Sequence, residues 1–428
     1  MRVMKDSGVE YIGLVPSNWS ILKTIYVLDM PITDGPHTTP ELLDSGIPFI
    51  SAEAISTGKI DFNHMRGYVS EDFYRICCLK YIPRKNDIYM VKSGATTGRV
   101  AMVEIDETFT IWSPLAVFRA NENKVLSRFL FYSIQSPSYT RQVEHGWSFG
   151  TQQNIGMRVL ERLKICLPTI EEQFSIVDFL DAKCAEIDAL TTDIQTQIDT
   201  LEQYKRSVIT ETVTKGLNPD AEMKDSGIQW IGDMPAHWGV IRGKYILRYM
   251  QKPVRENDGV ITCFRDGEVT LRSNRREDGF TMSDKEIGYQ GIDVDDLVIH
   301  GMDGFAGAIG ISDSRGKASP VLNVLDTDQC KRYIMYYLRS MAYSDVFLAL
   351  ATGIRVRSCD LRWNKLAELS YPVPPLDEQN AIVKHIDSVL SKADAVIADK
   401  KAQLATLDEY KKSLIFEYVT GKKEVPVS

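Results

Sequence analysis

The chain contains two copies of one framework, separated by segments that barely resemble each other. Residues 4–19 read MKDSGVEYIGLVPSNW, and residues 223–238 read MKDSGIQWIGDMPAHW, at an offset of 219. A second pair of similar segments, at an offset of 206, is LPTIEEQFSIVDFLD (167–181) and VPPLDEQNAIVKHID (373–387). Two variable units carried on a duplicated framework predict a pseudo-symmetric protein that contacts two different targets.

The second pair of repeats leads into two long helical patterns. Residues 171–213 and residues 377–420 each carry a heptad stripe of mostly apolar side chains over about five heptads, and neither run contains Gly or Pro. Thr169 and Glu172 have the spacing of a capping box, which predicts the start of the first helix. The a and d positions are Val177, Leu180, Cys184, Ile187, Thr191, Ile194, Ile198, Leu201, Lys205 and Val208 in the first run, and Val383, Ile386, Leu390, Ala393, Ile397, Lys400, Leu404, Leu407, Lys411 and Leu414 in the second.

Two helices with equal stripes are expected to pair with each other. At ~1.5 Å per residue each run would span roughly 65 Å, which is longer than a domain of ~150 residues is wide. Antiparallel pairing would therefore hold the two variable units apart. The sequence predicts an α+β protein, in which two mixed α/β domains are separated by two long antiparallel helices that form a pseudo-two-fold symmetric coiled coil.

The predicted domain boundaries follow the repeats. A length of 428 residues is sufficient for two or three domains with cores of their own. The boundaries are 1–166 for the first domain, 167–216 for the first conserved long helix, 217–372 for a linker and the second domain, 373–421 for the second conserved long helix, and 422–428 for a tail.

The net charge of −8 is unevenly distributed. Residues 166–222 carry 12 acidic and four basic side chains, whereas residues 1–165 have a net charge of +1 and residues 223–371 have a net charge of 0. A neutral domain can still present a basic face, so the total charge does not exclude binding to nucleic acid. The acidic first helix is better suited to protein partners than to phosphate.

The cysteines and the N-terminus predict a cytoplasmic protein. The seven cysteines include no CxxC pair and no Cys/His cluster at zinc spacing. The first residues, MRVMKDSGVEYIG, lack the apolar core of a signal peptide. No apolar run approaches the ~20 residues of a membrane helix. We therefore expect reduced thiols and no membrane association.

Each variable unit contains a strand, a Gly-rich turn and a second strand. The two patterns are DIYMVKSGATTGRVAMV (87–103) and DLVIHGMDGFAGAIGIS (296–312), and they predict β-hairpins. Helical stretches follow at 125–136 and 331–341. The turn SGATTG lacks the Lys and Ser/Thr of a phosphate-binding P-loop. Its amides and Thr hydroxyls are instead candidates for contacts to a DNA phosphate.

The sequence contains no recognisable catalytic pattern. It lacks the tetrad and cofactor loop of a methyltransferase and the acidic motif of a nuclease. The six histidines form no triad and no metal-binding spacing. We therefore expect a chain that is not an enzyme by itself and that binds neither a metal nor a cofactor.

The repeated motifs together resemble those of the specificity subunit of type I restriction-modification systems. They are K-D-S-G-x-x-(Y/W)-I-G-x-x-P-x-x-W, P-(T/P)-(I/L)-(E/D)-E-Q at the start of each long helix, and L-(E/D)-(Q/E)-Y-K-(R/K)-S near its end. The segment DGPHTTP (34–40) also resembles a stretch that is common in the recognition domains of this family. The similarity covers nearly the whole chain.

The resemblance implies a division of labour between subunits. Each of two target recognition domains would read one half of a split, asymmetric double-stranded DNA site, and the helices would set the length of the spacer. Two DNA methyltransferase subunits would dock on the chain, and restriction/translocase subunits would complete the enzyme. S-adenosylmethionine, ATP and Mg would belong to those partner subunits.

We predict DNA contacts on the hairpins, on the polar loops that follow, and in the basic run LRSNRRED of the second domain. Arg, Lys, Asn and Gln read base edges, whereas Ser, Thr and backbone amides contact phosphates. The candidates in the first domain are Lys92, Ser93, Thr96, Thr97 and Arg99 on the hairpin, Gln152, Gln153 and Asn154 on the loop and, by resemblance, Asp34 and His37. The candidates in the second domain are Arg265, Arg272, Asn274, Arg275, Arg276, Arg355 and Arg357.

Two other functions remain open on the sequence. The chain could serve a related split-site restriction system, in which the methyltransferase and nuclease are fused in one other polypeptide. It could also be a coiled-coil scaffold with two protein-binding domains and no role in DNA binding, which the neutral charge of both domains would suit.

Overall fold

The computed structural model describes most of the chain, and Ser148, Phe149 and Gln153 are described by their backbone alone. The described ranges are 2–55, 58–149, 153–275, 287–350 and 361–426.

The chain forms two compact units, and each contains one half of each long helix. The first unit consists of residues 1–194 and 402–428, and the second unit consists of residues 195–401. The two long helices are therefore shared between the units. The boundaries predicted from the repeats, which treat each helix as a separate segment, stay predictions.

The first unit is built from short, mostly antiparallel strands. Its main sheet has the strand order β4-β10-β7-β8, and a second sheet has the order β6-β5-β9. The strands are β1 (Met4–Asp6), β2 (Leu14–Pro16), β3 (Ser20–Lys23), β4 (Thr33–Asp34), β5 (Ile47–Ile50), β6 (Gly67–Val69), β7 (Ile88–Val91), β8 (Val100–Met102), β9 (Thr110–Ile111), β10 (Leu115–Phe118), β11 (Ser148–Phe149), β12 (Gln153–Asn154) and β13 (Lys164–Leu167). The helices are α1 (Glu71–Cys78), α2 (Ser127–Gln135), α3 (Pro137–His145), α4 (Met157–Leu160) and the first long helix, α5 (Ile170–Lys215).

The second unit repeats the plan of the first. Its main sheet has the order β17-β24-β21-β22, which corresponds strand by strand to the main sheet of the first unit. The strands are β14 (Met223–Asp225), β15 (Asp233–Pro235), β16 (Gly239–Arg242), β17 (Arg248–Met250), β18 (Ile261–Cys263), β19 (Val269–Leu271), β20 (Gln290–Ile292), β21 (Leu297–His300), β22 (Ile309–Ile311), β23 (Gly316–Ala318), β24 (Leu322–Asp326) and β25 (Ser370–Val373). The helices are α6 (Arg272–Arg275), α7 (Lys331–Tyr343), α8 (Val346–Ala349), α9 (Trp363–Glu368) and the second long helix, α10 (Leu376–Val419).

The heptad stripe forms the contact between the long helices. Every a and d residue of the two runs, all of them within the described part of the chain, is buried or half-buried. In the first unit Lys411 Nζ lies 2.6 Å from Asp188 Oδ1, and in the second unit Lys205 Nζ lies 2.5 Å from Asp394 Oδ1. Both members of the second pair are related to the first by the offset of 206. The predicted antiparallel coiled coil is confirmed, because the early part of each helix meets the late part of the other.

Glycines end both long helices at the same structural position. Gly216 and Gly421 have φ of 75° and 69°, the left-handed region that favours glycine at a helix C-terminus. A Cβ on Gly421 would lie 3.0 Å from the Trp19 ring, and a Cβ on Gly216 would lie 3.1 Å from the Trp238 ring. The tryptophan of each N-terminal motif therefore packs against the end of a long helix.

The repeated glutamine near the start of each long helix forms a hydrogen bond at the N-terminus of a shorter helix of its own unit, which is α2 in the first unit and α7 in the second. Gln173 is fully buried; its Oε1 accepts from the backbone N–H of Leu126 at 2.9 Å, and its Nε2 donates to the carbonyls of Lys124 and Pro168 at 3.2 Å. Gln379 is also fully buried and accepts from the N–H of Cys330 at 2.9 Å. Leu126 and Cys330 directly precede α2 and α7, so the glutamine satisfies an otherwise orphaned helix amide.

We expect Gln173→Ala to destabilise the first unit by about 2–3 kcal/mol, because it leaves buried backbone donors and acceptors without partners. Urea unfolding followed by circular dichroism would measure the loss. Gln195→Ala is the matched control, since Gln195 is exposed on the same helix and its side-chain amide donates to Asp199 one turn later at 2.9 Å. Equal effects of the two substitutions would contradict the role given to Gln173.

An aspartate that follows the glutamine in each long helix also contacts the shorter helix of its unit, which is α2 in the first unit and α7 in the second. Asp181 Oδ1 accepts from Arg128 Nε at 2.7 Å and from the Tyr132 hydroxyl at 2.5 Å. Asp387 Oδ1 accepts from Arg332 Nη2 and from the Tyr336 hydroxyl, both at 2.6 Å. The duplicated sequence thus encodes a duplicated set of contacts between framework and variable unit.

Among the described residues, no helix is both long enough and apolar enough to be a candidate membrane span.

Candidate nucleic-acid interface

Both predicted hairpins are present and occupy equivalent positions in their sheets. Strands β7 and β8 pair antiparallel with Met90 opposite Val100, and β21 and β22 pair with Ile299 opposite Ile309. Each hairpin ends in a glycine-bearing turn. In the first unit the turn residues Gly94 and Gly98 have φ of 102° and 92°, a conformation that other residues rarely adopt.

The polar loop of the first unit lies beside the base of this turn. Ser93 forms an isolated antiparallel bridge with Asn154, and the N–H of Ile155 donates to the carbonyl of Lys92 at 2.9 Å. Three predicted contact residues are therefore neighbours in space. Gln153 is described only as backbone paired with Phe149, and Gln152 lies outside the described residues.

Thr96, Thr97 and Arg99 lie in and directly after the hairpin turn. The Thr97 hydroxyl donates to the carbonyl of Gly94 at 2.7 Å, and the N–H of Arg99 donates to the carbonyl of Thr96 at 3.1 Å. Arg99 is exposed and lines a groove of the first unit together with Lys59. The turn itself is therefore fixed by internal hydrogen bonds.

Asp34 is the centre of a charge cluster that the sequence did not reveal in full. Its side chain is 0% exposed; Oδ2 lies 3.2 Å from Lys92 Nζ and 3.3 Å from His37 Nε2, and Oδ1 accepts from Lys80 Nζ. Burial opposes the charged form of Asp34, but the hydrogen bond from Lys80 and the ion pair with Lys92 outweigh it and lower the pKa of the carboxyl. The carboxylate is covered by cations and is not presented at the surface.

Lys80 is the residue of this cluster that sequence reasoning missed. It lies two positions after the end of α1 and 46 positions after Asp34, and nothing in the local pattern links Lys80 with Asp34. Its Nζ also donates to the carbonyl of Gly35 at 3.1 Å. Only the tertiary fold brings the segment that follows α1 next to the end of β4.

The hairpin of the second unit is held by the same two backbone bonds. The N–H of Gly301 donates to the carbonyl of Val321 at 2.8 Å, and the N–H of Leu361 donates to the carbonyl of Gly301 at 2.8 Å. The first unit has the equivalent bonds at Lys92. Arg355 and Arg357, which precede Leu361 in the sequence, lie outside the described residues.

The tip of the second hairpin differs chemically from the tip of the first. It presents Met302, which is exposed, and Asp303, which pairs with Arg265 at 2.9 Å. The amides of both tip residues point at His300 Nδ1, with the Asp303 N–H at 2.9 Å. Burial lowers the pKa of His300. Of the predicted residues of this domain that the structure describes, Arg265 is the one that it brings to the hairpin tip.

The basic run of the second domain is engaged with its own unit. Arg275 Nη2 lies 2.6 Å from Asp266, Nη1 lies 3.0 Å from Glu268, and the guanidinium stacks on Phe264 at 4.2 Å from the ring centroid. The carboxylates of Asp266 and Glu268 thus neutralise the charge of Arg275, which the sequence predicted to contact DNA.

The other candidates in this run also contact the β18–β19 hairpin. Asn274 Nδ2 donates to the Thr270 hydroxyl at 3.0 Å, and Arg272 Nε donates to the Thr262 hydroxyl at 3.4 Å. Arg276 lies outside the described residues.

The second unit carries the opposite charge balance near the end of the strand that corresponds to β4. There Lys252 pairs with Asp293 and Asp296 at 2.9 and 2.7 Å, and Arg315 pairs with Asp258 and Asp293. Hydrogen bonds from Lys252 and Arg315 lower the pKa of Asp293 to about 2. Three carboxylates face two cations here, whereas in the first unit one carboxylate faces two lysines.

Comparisons with known proteins agree with this architecture. A model of the type I restriction modification DNA specificity domain matches residues 36–200. The putative type I restriction enzyme MjaX specificity subunit of Methanocaldococcus jannaschii is 26% identical, over 97% of this chain and 96% of its own length. The type I restriction enzyme MjaVIII specificity subunit of the same organism is 22% identical, over 96% and 94% of the two chains.

A solved structure shares the fold. It comes from work on complex assembly and conformational transition of the type I R-M system, and its similarity covers 96% of this chain and 99% of that chain. The TM-score is 0.65 at 16% sequence identity. The duplicated motifs, the paired long helices and the full-length similarity to named relatives lead to one conclusion: over nearly its whole length the chain is similar to the specificity subunits of type I restriction-modification systems.

Proposed function

We propose that each unit of this chain reads one half of a bipartite, asymmetric DNA site. The observation that carries the proposal is that the two units share one fold but differ in the residues of their hairpins. Both units have the same sheet order and the same hydrogen bonds at the hairpin base, but Lys92 in one is replaced by Gly301 in the other. Two unlike readers on one chain suit a non-palindromic site, whereas a symmetric homodimer requires a palindromic one.

The proposal extends to the partners. Two DNA methyltransferase subunits would dock on the paired helices, restriction/translocase subunits would join them, and this chain would itself be non-catalytic. Repeated exposed apolar residues support two docking sites of one kind: Leu190 corresponds to Val396, and Tyr204 corresponds to Tyr410, at the offset of 206. Solvent-exposed apolar groups in repeated positions are typical of interaction surfaces. S-adenosylmethionine, ATP and Mg would be bound by the partners.

Mapping of methylated bases tests the proposal. The chain would be co-expressed with its genomic neighbours in a host that lacks adenine methylation, and the methylated adenines would be mapped by single-molecule sequencing. The expected result is one split motif with two unlike halves and a fixed spacer. A system whose methyltransferase and nuclease are fused would need a single partner for the same result.

The scaffold alternative makes the opposite prediction. Without a role in DNA binding, the chain and its partners would show no split motif and no salt-dependent affinity for duplex DNA. Absence of both in an assembled complex would reject the proposed function.

A further inference from the structure

We propose that Asp34, His37, Lys80 and Lys92, here called the Asp34 cluster, form a DNA contact site of the first unit. In this site buried Asp34 is a positioning residue, and Lys80 and His37 are the groups that touch DNA. The inference rests on the proposed function and deepens it, because it assigns roles to individual side chains. It also replaces the expectation, based on resemblance, that Asp34 itself contacts DNA.

Exposure divides the cluster into an interior and a surface. The side chain of Asp34 is 0% exposed and that of Lys92 is 13% exposed, whereas Lys80 and His37 are 43% and 72% exposed. Asp34 and Lys92 form the buried part of the cluster, and Lys80 and His37 contact Asp34 from the solvent side. A DNA oxygen or ring nitrogen that approaches this surface would meet Lys80 and His37 first.

The charges of the cluster do not cancel. One carboxylate faces two ammonium groups, so the cluster keeps a net positive charge even when His37 is neutral. The ion pairs that the described residues give to Lys80 and Lys92 are both with Asp34. The half-buried surroundings screen this residual charge less than bulk water would. An anionic or electron-rich acceptor is therefore favoured at this position.

The backbone holds the cluster in one geometry. Asp34 pairs with Ala116 of β10, and the next residue, Gly35, passes so close to β9 that a Cβ would lie 2.1 Å from the carbonyl oxygen of Ile111. The carbonyl of Lys92 is bound by the N–H of Ile155. Donors that are held by packing before the ligand arrives lose little conformational entropy on binding.

The cluster adjoins the other candidate contact residues. Lys92 is followed by Ser93, which bridges to Asn154 on the polar loop. The second unit has the reverse charge balance near the corresponding strand, around Lys252 and Arg315. The inference therefore concerns one half of the DNA site only.

Asp34→Asn separates positioning from simple electrostatics. The substitution removes a negative charge, so long-range attraction alone predicts tighter DNA binding. If Asp34 positions Lys80 and His37, the same substitution weakens binding, roughly tenfold at moderate salt. The measurement is the affinity of the assembled complex for a duplex that carries the mapped motif, over a series of salt concentrations.

Lys80→Ala tests the outer donor, and Lys85→Ala is its matched control. Lys85 lies five positions later, and its exposed side chain is 3.7 Å from Asp106. We expect Lys80→Ala to weaken binding roughly tenfold and Lys85→Ala to leave it nearly unchanged. A phosphate contact would reduce the salt slope by about 0.9, whereas a base-edge contact would relax one position of one half-site in the methylation map.

The outcomes are distinguishable from failure of the proposed function. A wild-type complex without a split motif rejects both. A wild-type complex with the motif rejects only the inference when Asp34→Asn binds as tightly as wild type or tighter, or when Lys80→Ala behaves like Lys85→Ala. If Asp34→Asn lowers the melting temperature so far that the unit does not fold, the comparison of Lys80→Ala with Lys85→Ala decides alone, since about half of each lysine side chain is exposed.

Discussion

A paired deletion of one heptad from each long helix is expected to abolish recognition of the wild-type site. The deletion removes residues 191–197 from α5 and residues 397–403 from α10, which correspond at the offset of 206. Each helix becomes about 10 Å shorter, a length of about three base pairs. Three base pairs also turn the duplex by nearly a third of a helical turn, because equivalent faces recur every 10–10.5 bp.

The heptad deletion leaves the contacts at both ends of the helix pair in register. The ion pairs Asp188–Lys411 and Asp394–Lys205 lie outside the deleted segments, and a heptad preserves the a/d stripe. We therefore expect a folded protein whose methylation motif keeps both halves but has a spacer shorter by about three base pairs. The methylation map measures both changes at once.

Deletion from one helix alone is the control for the paired deletion. It removes the match between the two stripes, so one of the two ion pairs must break, and we expect loss of folding and of all methylation. An unchanged motif after the paired deletion would show that the helices do not set the spacer.

Asp87→Ala is expected to destabilise the first unit by about 3–5 kcal/mol, because it leaves a largely buried guanidinium without its counter-charge. Asp87 is 1% exposed and Arg119 is 15% exposed. The two form a bidentate pair with both N···O distances at 2.7 Å. Asp87 Oδ2 also accepts from the Tyr81 hydroxyl at 2.5 Å and from the N–H of Arg84 at 2.8 Å.

Urea unfolding of the complete chain would measure this loss in the transition that belongs to the first unit. Asp106→Ala is the matched control, since its carboxylate is highly exposed and lies 3.7 Å from Lys85. A pair of this kind contributes roughly 0–1 kcal/mol. A loss below about 1 kcal/mol for Asp87→Ala would contradict the structural role of the buried pair.

The sequence predicted local elements well because their signals are periodic. The heptad stripe predicted α5 and α10, and the two Gly-rich turns predicted the β7–β8 and β21–β22 hairpins, all of which are confirmed. The capping box is also confirmed: Thr169 Oγ1 accepts from the N–H of Glu172, and Glu172 Oε2 accepts from the N–H of Thr169, both at 3.4 Å. Each of these features depends on residues close together in the chain.

The candidate site was harder to predict because its charges are balanced by distant residues. The run LRSNRRED is the densest basic cluster in the sequence, but Arg275 forms ion pairs with Asp266 and Glu268 of the neighbouring hairpin. Asp34 was chosen by resemblance, but its carboxylate is enclosed by Lys80 and Lys92. Which charges face solvent depends on ion pairs that composition does not show.

The amino-acid sequence alone determined the duplicated framework, the two long helices with their antiparallel pairing, and the resemblance to the specificity subunits, because repeats and heptad spacing are properties of the residue order. The tertiary structure alone decided that both variable units share one sheet order despite their dissimilar sequences. The tertiary structure also decided which carboxylate pairs with which lysine or arginine near each hairpin. Packing brings together residues that lie far apart in the chain, such as Asp34 and Lys80, and the free energy of such a pair depends on burial and distance, which no local pattern encodes.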